Sequence, residues 1–490
     1  MTIAPFTTEE LEAATETLLA EGGQFAAAPM TIRGVDYPLV FLLSSMSLRD
    51  VLAMKAAEFA DAELVVFGEE RLTTAEVWAR AMRFANWLHR EGYGQGDRVA
   101  VAMRNYPEWV TAYLGAVAAG ACVVPLNAWW SAEELARGAE RSSSRVAVVD
   151  AKRGERLAPH AERLGLRLVG AREDVPQAEL SLEAILADDA LPTTPPQVVI
   201  DPESDFALMF TSGSTGEPKG AQLTHRSVVS AILSWSFQLQ VAQRLRPDHP
   251  FVPKNPGALL ALPLFHVTAS HAVFLLSFLT GRKVVFLYKW DAQEAARTIR
   301  AERLTNFTCV PTMAQELIEA AAPGDLVTLT DLATGGAKRP ESQTARQRER
   351  LPSVAASSGY GLTETNALGS VITLADYDLH PASTGRPILP VTQIASFGEG
   401  GERLAAGVVG ELCVKSPANF RGYMDDEAAT RAAFHEGGWF RTGDLGFVDD
   451  EGFVTIVDRL KDLIIRGERT SPLSRSRTRS SPRGWRTRPA

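Results

Sequence analysis

Short apolar runs alternate with amphipathic segments along most of this 490-residue sequence. Residues 73–92 begin with Thr73 and Glu76 in the spacing of a capping box and end at Gly92, with apolar residues on one helical face between them, so they predict a helix with one buried side. Residues 98–103 form an apolar run typical of a strand buried on both faces. Strands and helices that alternate in this way predict parallel sheets covered by helices.

The same alternation returns between residues 258 and 310, which predicts a second sheet of this kind. From about residue 385 to residue 457 the pattern changes to short strands separated by glycine turns, which predicts a smaller β-barrel-like unit. The predicted fold class is therefore α/β. Residues 1–457 are predicted to form a large domain of two helix-flanked, mostly parallel sheets, with the β-rich subdomain at its end.

The cysteines and the apolar segments indicate whether the protein is soluble and in which compartment it is located. Cys122, Cys309 and Cys413 stand far apart without metal-ligand spacing, which argues against a disulfide framework and against a zinc site. The longest apolar stretch, residues 112–126, contains glycine and is too short to span a bilayer, and the first residues lack the basic region of a signal peptide. We expect a soluble, cytoplasmic protein without a transmembrane segment.

The densest motif is FALMFTSGSTGEPKGAQLTH, residues 206–225, in which an apolar strand leads into a loop of hydroxyl and glycine residues with one lysine. Backbone N–H groups and hydroxyls of such a loop can surround phosphate oxygens, and Lys219 would offset their charge. The motif differs from the Walker loop, in which Gly-Lys is followed by Ser or Thr. A solvated Gly/Ser loop without function is the alternative, so phosphate binding is the sharper hypothesis.

Further motifs support that hypothesis, because the loop and five other segments resemble the adenylate-forming superfamily and occur in its order. This superfamily includes acyl-CoA synthetases, beetle luciferase and the adenylation domains of peptide synthetases. The motifs that carry the resemblance are TSGSTGEPKG (211–220), PLFH (263–266), GGA (335–337), GYGLTET (359–365), GWFRTGDLG (438–446) and DRLKDLI (458–464).

The resemblance implies a reaction in two steps. A carboxylate attacks the α-phosphate of ATP to give an acyl-adenylate and pyrophosphate, and the thiol of CoA then takes the acyl group. The implied cofactors and co-substrates are ATP, Mg²⁺ and CoA. The implied substrate is a small-molecule carboxylic acid, and luciferase-like oxidation and amino-acid loading remain alternatives within the same superfamily.

The motifs also imply roles for individual residues. Tyr360 is matched to the residue that stacks on adenine, Thr363 to a contact of the α-phosphate, and Glu364, with Thr215, to binding of Mg²⁺. Asp444 resembles the residue that accepts hydrogen bonds from the ribose hydroxyls, and a carboxylate has enough lone pairs for both. The full set of implied ATP- or AMP-binding residues is Thr211, Ser212, Gly213, Ser214, Thr215, Gly216, Lys219, Gly336, Ala337, Tyr360, Gly361, Thr363, Asp444 and Arg459.

Two further positions concern the acid and the hinge. His266, after Phe265, matches the aromatic–histidine pair at the mouth of the acyl tunnel, although a lone histidine after an apolar strand is otherwise usually a core residue. Peptide-synthetase domains commonly carry an aspartate there, so an acid without an α-amino group, fatty or otherwise, is the expected substrate. Lys461 matches the hinge, residues 458–465. The implied catalytic residues are Lys219, His266, Thr363 and Glu364.

The composition changes abruptly after the hinge. The formal net charge is −9, and residues 469–490 hold seven Arg without Asp or Glu, which leaves −16 for the remainder. Family members continue here into a small domain, and a one-base shift of suitable codons for residues 471–482 gives ISPVEVEDALFA, the family's continuation. We therefore expect residues 466–490 to be a disordered, out-of-frame tail, the small C-terminal domain to be missing through a frameshift, and turnover to be impaired.

Two other interpretations of the tail stay open. RSRTRSSPR resembles arginine/serine segments that bind RNA through charge, but the acidic body has no basic patch with interleaved aromatic residues, so no nucleic-acid partner is expected. Alternatively, the chain is an inactive relic that only binds ATP and an acid. The oligomeric state and the identity of the acid do not follow from the sequence.

Overall fold

The computed structural model describes residues 6–211, 218–247, 255–460, 463–466 and 469–472. The α-helices in this part of the chain are α1 Thr8–Glu21, α2 Leu48–Glu58, α3 Thr74–Arg90, α4 Pro107–Ala118, α5 Ala132–Arg141, α6 Ala151–Leu164, α7 Leu182–Leu186, α8 His225–Leu245, α9 Leu276–Thr280, α10 Ala292–Glu302, α11 Pro311–Ala320, α12 Glu341–Arg350, α13 Leu374–Leu379 and α14 Glu427–Ala432. A π-helical segment, Thr268–Leu275, runs directly into α9.

The strands of the first half are β1 Ala27–Ile32, β2 Val35–Phe41, β3 Glu63–Phe67, β4 Glu70–Thr73, β5 Arg98–Ala102, β6 Cys122–Pro125, β7 Val146–Val149, β8 Arg167–Gly170, β9 Leu180–Ser181, β10 Asp205–Thr211, β11 Lys219–Thr224 and β12 Gly257–Leu260. Those of the second half are β13 Lys283–Phe286, β14 Asn306–Cys309, β15 Asp331–Thr334, β16 Ala355–Gly361, β17 Gly369–Thr373, β18 Arg386–Pro387, β19 Gln393–Phe397, β20 Gly410–Lys415, β21 Gly422–Tyr423, β22 Phe434–His435, β23 Trp439–Val448, β24 Val454–Arg459, β25 Leu463–Arg466 and β26 Arg469–Pro472.

Two large mixed sheets carry the fold, as the sequence predicts. One has the order β21-β11-β10-β6-β5-β7-β8-β9 and the other β18-β17-β16-β15-β14-β12-β13-β3-β4. The strands from β10 to β9 in the first sheet and from β16 to β3 in the second are joined by parallel pairs, while antiparallel strands lie at the ends. Fully buried residues of helices such as α4 lie in the main hydrophobic core together with strand residues of both sheets.

Local sequence signals place the helix boundaries. The side chain of Thr73 accepts a hydrogen bond from the backbone of Glu76 and the Glu76 carboxylate accepts one from Thr73, so the predicted capping box begins α3. Ser131 begins α5 with a capping box as well, and the Asp291 side chain accepts a hydrogen bond from the backbone of Glu294 at the start of α10. These caps satisfy N–H groups at the first turn of a helix, which have no partner within it.

The β-rich unit predicted near residues 385–457 is an antiparallel sheet of β19, β20, β23, β22 and β24. Strand β23 is its longest member, and β22 and β24 pair with successive parts of its second edge. Beyond this sheet, β25 pairs with β26 in an antiparallel hairpin. The boundaries of the predicted hinge and tail stay predictions, and residues 473–490 lie outside the described residues. None of the helices that the structure describes combines the length and the apolar composition needed to cross a bilayer.

The crossing of α3 and α4 requires glycine at residue 115. A Cβ atom at Gly115 would lie 2.6 Å from Phe84 Cδ1 and 2.9 Å from the carbonyl oxygen of Ala81. We predict that Gly115→Val lowers the free energy of unfolding by about 2 kcal/mol or more, because overpacking at a helix crossing forces the backbones apart. Urea-induced unfolding, followed by tryptophan fluorescence, measures this loss.

Gly94→Val is the matched control. A Cβ at Gly94 has its nearest contact at 3.5 Å, an ordinary van der Waals distance, so this variant is expected to unfold within about 0.5 kcal/mol of the wild type. Equal losses in the two variants would contradict the requirement for close approach at Gly115.

Candidate active site

The predicted phosphate loop joins two neighbouring strand ends. Strands β10 and β11 are antiparallel, with Thr211 opposite Lys219, and the Thr211 hydroxyl lies 3.5 Å from the carbonyl oxygen of Lys219. The described residues thus fix where the loop leaves the sheet and where it re-enters. The predicted ligands of this loop that lie outside the described residues are Ser212, Gly213, Ser214, Thr215 and Gly216.

Strand β21 lies beside β11 and contributes to the surroundings of Lys219. Residue Ala221 pairs with Tyr423, and the Lys219 Nζ atom lies 4.9 Å from the centre of the Tyr423 ring. The same Nζ atom is 3.9 Å from Asp426 Oδ2. A partly exposed ion pair of this length contributes little to stability. Its effect is to hold the lysine cation over an aromatic ring at the end of the phosphate loop.

The Glu364 carboxylate faces the same tyrosine. Glu364 is on the short 3₁₀ turn Thr363–Thr365 that follows β16, and its side chain is buried. The Tyr423 hydroxyl donates a hydrogen bond of 2.9 Å to Glu364 Oε1. Burial raises the pKa of Glu364, and the tyrosine hydrogen bond and the charge of Lys219 oppose that rise. Lys219 and Glu364 therefore contact opposite parts of one tyrosine side chain.

A second cluster surrounds Asp444. The Tyr360 hydroxyl donates to Asp444 Oδ2 over 2.7 Å, and Arg459 Nε donates to Asp444 Oδ1 over 3.1 Å. Asp444 is only 4% exposed, whereas the Arg459 side chain is 69% exposed. Burial raises the pKa of Tyr360, so its hydroxyl stays protonated and keeps donating. The sequence-predicted residues Tyr360, Asp444 and Arg459 are thus brought together.

Strand pairing explains how these side chains come together. Asp444 of β23 is directly opposite Arg459 of β24, so a single register step sets their contact. Tyr360 lies near the end of β16, where Gly361 is opposite Gly369 of β17. A Cβ atom at Gly361 would lie 2.3 Å from the carbonyl oxygen of Ala367, so the close return of the chain after Tyr360 admits only glycine there.

The remaining predicted nucleotide residues lie at neighbouring strand ends. Gly336 and Ala337 follow β15, Gly361 ends β16, and Thr363 begins the 3₁₀ turn that carries Glu364. Gly336, Tyr360 and Gly361 line a cavity of about 480 Å³ that extends into the protein between α1, α8 and the second sheet. The carboxyl ends of adjacent strands of a parallel sheet meet at one edge, which is where open α/β folds bind ligands.

His266 lies in the turn between β12 and the π-helical segment. Its imidazole is exposed, with the ring centre 4.6 Å from that of Phe265, and Phe265 in turn contacts the Trp129 ring. The surrounding protein removes part of the hydration of the imidazole and lowers its pKa, which favours the neutral form. Two residues further on, Thr268 lines the cavity. Lys461, the predicted hinge residue, lies outside the described residues.

Tyr423 and Asp426 are absent from the predicted site residues although they contact the predicted ones. No local pattern in the sequence marks them, because Tyr423 meets Lys219 and Glu364 only through the pairing of β21 with β11. A strand of two residues carries too little periodicity to predict its partner.

Comparison with known proteins identifies the family. Residues 52–424 match the model of the family described as AMP-binding enzyme. The chain belongs to this family. The resemblance to adenylate-forming enzymes of the acid–CoA ligase type is thereby confirmed, and membership implies ATP and CoA as co-substrates.

Curated relatives are ligases that act on named acids. Feruloyl-CoA synthase of an Amycolatopsis species is 34% identical over 411 residues, which cover 83% of this chain and 77% of the relative. 4-Coumarate–CoA ligase 3 of Oryza sativa subsp. japonica is 28% identical over 454 residues, which cover 90% of this chain and 79% of the relative.

Solved structures agree in fold. The inhibitor-bound N-terminal domain of FACL13 from Mycobacterium tuberculosis has a TM-score of 0.72 and 30% identity, with 85% of this chain and 100% of that chain covered. A fatty acyl CoA synthetase of the same organism has a TM-score of 0.73 and 29% identity, with 86% and 80% covered. The predicted α/β architecture is confirmed.

The Tyr423–Glu364 hydrogen bond leads to a prediction about pH. Removal of the hydroxyl in Tyr423→Phe takes away a donor that stabilises the ionised carboxylate, so the pKa of Glu364 rises further. If ionised Glu364 is needed for activity, the acidic limb of the pH profile of ATP–pyrophosphate exchange shifts to higher pH. The measurement is the exchange rate between pH 5 and 9, with the alkaline limb as internal reference.

Tyr93→Phe is the control. It also removes a tyrosine hydroxyl, but the Tyr93 ring contacts Arg145 and is remote in sequence from Tyr423 and Glu364. Its acidic limb is expected to coincide with that of the wild type. An unchanged acidic limb in Tyr423→Phe would contradict the electrostatic coupling of Tyr423 to Glu364.

Proposed function

We propose that this protein activates a carboxylic acid without an α-amino group, fatty or otherwise, by forming its acyl-adenylate from ATP, and transfers the acyl group to CoA. The relatives that act on ferulate and 4-coumarate and the fatty acyl CoA synthetase support an acid of this kind. The small-molecule acid is the proposed partner, and the proposed location is the cytoplasm, since the three cysteines are buried and free.

One observation carries the proposal. The charged residues Lys219 and Glu364, both in contact with Tyr423, and the pair of Asp444 and Arg459 lie at strand ends close to a mostly apolar cavity. A nucleotide needs the charged groups, and the acyl part of an acid needs the apolar cavity. Tyr360 connects the charged residues with the cavity, because its hydroxyl donates a hydrogen bond to Asp444 and the residue lines the cavity.

In the proposed first step, one bond to the α-phosphorus of ATP forms and another breaks. A carboxylate oxygen forms a bond to the α-phosphorus of ATP while the bond from that phosphorus to the bridging oxygen of pyrophosphate breaks. Lys219 is suited to neutralise charge on the phosphates, and Thr363 to donate a hydrogen bond to the α-phosphate. In the second step the sulfur of CoA attacks the acyl carbon and AMP leaves, with the thiol proton released.

The ribose is proposed to bind at Asp444. Each carboxylate oxygen accepts more than one hydrogen bond, so Oδ1 and Oδ2 can accept from ribose hydroxyls beside their present donors. The exposed Arg459 side chain has room to move toward a phosphate or the ribose. Tyr360, held by its hydroxyl, offers a ring face for adenine, and Gly336 and Ala337 border the same region.

Glu364 fits the proposed Mg²⁺. Its Oε1 accepts from Tyr423, and among the described residues no hydrogen bond reaches Oε2, so one oxygen is available to a hard cation that prefers carboxylate ligands. When bound, Mg²⁺ screens the negative charge of the triphosphate from the carboxylate of the acid. Glu364 and Tyr423 hold the ligand oxygen in place, and His266, in its neutral form, borders the approach of the acid.

The direct test is acid-dependent exchange of labelled pyrophosphate into ATP by the purified 490-residue chain. The expected result is exchange that requires a carboxylic acid and is not supported by amino acids, followed by formation of a CoA thioester when CoA is added. Light emission with oxygen, or exchange with amino acids alone, would favour the other activities of the superfamily. ATP binding without exchange for any acid would contradict the proposal.

Asp444→Asn tests the ribose contact. The amide keeps the shape of the carboxylate but loses its charge and one acceptor, and charge-assisted hydrogen bonds contribute about 1.5–3 kcal/mol, so kcat/KM for ATP is expected to fall by roughly 10- to 100-fold. The measurement is the exchange rate as a function of ATP concentration, with the melting temperature as a check on folding.

Asp458→Asn is the matched control, one residue before Arg459 in the same strand, where, among the described residues, the carboxylate accepts only from the backbone N–H of Arg459. This variant is expected to keep kcat/KM for ATP within about threefold of the wild type. A fall as large as that of Asp444→Asn would mean that the strand β24, and not the Asp444 carboxylate, determines nucleotide binding.

A further inference from the structure

The cavity follows one face of three adjacent strands. It is lined by Asn306 and Thr308 of β14, by Asp331 and Ala333 of β15 and by Ser357 of β16, and at the carboxyl ends of β15 and β16 by Thr334, Gly335, Gly336 and residues 358–361. Alternate residues of a strand point to the same side of a sheet. The cavity therefore runs along the strands, from the glycine-rich ends that border the proposed nucleotide site to the opposite ends.

The length of this path follows from the register. Asn306 pairs with Asp331, and Thr308 pairs with Ala333, so the two strands start at the same level. From Asp331 to Gly335 is four residues, about 13 Å at the rise of an extended chain. The end of the cavity near Asp331 is thus remote from the nucleotide site by roughly the length of a medium-sized acyl group.

The walls along this path are largely apolar, whereas the remote end is polar. Leu11 of α1, Trp235 and Leu239 of α8, and Ala272 and Leu276 of the segment before α9 line the sides. An acyl chain made only of hydrocarbon would bind best if the remote end of the cavity were also apolar. The polar groups at the remote end therefore call for a ligand group that can pair with them.

Asp331 supplies acceptors at this end. The Ser357 hydroxyl donates to its Oδ1 over 2.6 Å and Asn306 Nδ2 donates to its Oδ2 over 2.8 Å. Each carboxylate oxygen can accept a further hydrogen bond. Burial raises the pKa of Asp331 to about 6, so the group is ionised at neutral pH and is an acceptor there.

Arg282 supplies donors at the same end, because it directly precedes β13 and its charge acts on Asp331. Its Nε donates to Ser277 Oγ over 2.8 Å and its Nη2 to the carbonyl oxygen of Val273 over 3.3 Å. Throughout residues 6–211, 218–247 and 255–460, no carboxylate oxygen lies within 4.0 Å of the Arg282 guanidinium. The guanidinium lines the cavity with donor capacity left over, since it has five N–H groups.

On the basis of the proposed function, we propose that the acid carries a hydroxyl group at the end remote from its carboxylate, and that Arg282 and Asp331 bind this hydroxyl. A hydroxyl matches both groups, because it accepts from a guanidinium and donates to a carboxylate. A methyl group in its place offers neither a donor to the carboxylate nor an acceptor to the guanidinium. A second carboxylate would be attracted by Arg282 and repelled by Asp331. Arg282 and Asp331 are thus specificity-determining residues.

The test compares acids that differ only in this hydroxyl. The full 490-residue chain is assayed by acid-dependent ATP–pyrophosphate exchange at pH 7.5 with two pairs, 10-hydroxydecanoic against decanoic acid and 4-hydroxycinnamic against cinnamic acid. In at least one pair the hydroxylated acid is expected to have a kcat/KM at least tenfold higher. The pair with the larger ratio tells whether the bound skeleton is aliphatic or aromatic.

Arg282→Met removes the guanidinium and keeps a side chain of similar reach. The ratio between the hydroxylated and the unsubstituted acid is expected to fall to within about twofold of unity. Asp331→Asn keeps the shape of the carboxylate and is expected to lower the ratio as well. It remains informative if Arg282→Met unfolds, which melting curves detect. Arg300→Met, at a side chain that is 67% exposed on α10, is the control and keeps the wild-type ratio.

Three results would overturn the inference. They are exchange without preference for the hydroxylated acid in either pair, an undiminished ratio in a folded Arg282→Met or Asp331→Asn variant, and a preference for decanedioic over 10-hydroxydecanoic acid. Each of these requires measurable exchange. Failure of the proposed function looks different, because exchange would then be absent with all five acids.

Discussion

A buried carboxylate connects the two parts of the site. Asp444 belongs to the small antiparallel sheet and Tyr360 to the nine-stranded sheet, so the hydrogen bond between them joins two separately built units. A polar group with 4% exposure requires hydrogen-bond partners in place of the water that it loses. Tyr360 and Arg459 provide them, and they leave the acceptor in the place where a ribose is proposed to bind. The β-rich unit thus contributes the central residue of the proposed nucleotide site.

The pairing of two strands and one short turn arrange the charges near the phosphate loop. Lys219, Glu364 and Tyr423 are far apart in the chain, yet the pairing of β11 with β21 brings Tyr423 between a cation and a carboxylate. Lys219 and Glu364 are held in place by strands and a short turn, so we expect these charges not to reorganise when a triphosphate binds. Preorganisation of this kind is the main source of electrostatic catalysis. The second sheet ends in the glycine turns that line the cavity, so the proposed nucleotide and acyl sites share this sheet.

Much of this site could be predicted from the sequence, for physical reasons that differ between residues. Thr73, Ser131 and Asp291 mark helix starts because capping is a local interaction. Tyr360 and Asp444 were identifiable because they lie in dense motifs that resemble a family. Tyr423, Arg282 and Asp331 were not, because their surroundings depend on the pairing of strands distant in sequence, which periodicity does not encode.

The central claim is that a carboxylate of the substrate attacks the α-phosphate of ATP. The most direct measurement incubates the full chain with ATP, hydroxylamine as acyl acceptor, and the acid that supports the fastest exchange, labelled with ¹⁸O in its carboxyl group; AMP is then analysed by mass spectrometry. Attack on the α-phosphorus transfers one labelled oxygen to AMP when hydroxylamine cleaves the acyl–oxygen bond, and this is the predicted result. Unlabelled AMP, or formation of ADP and phosphate in place of AMP and pyrophosphate, would contradict the account.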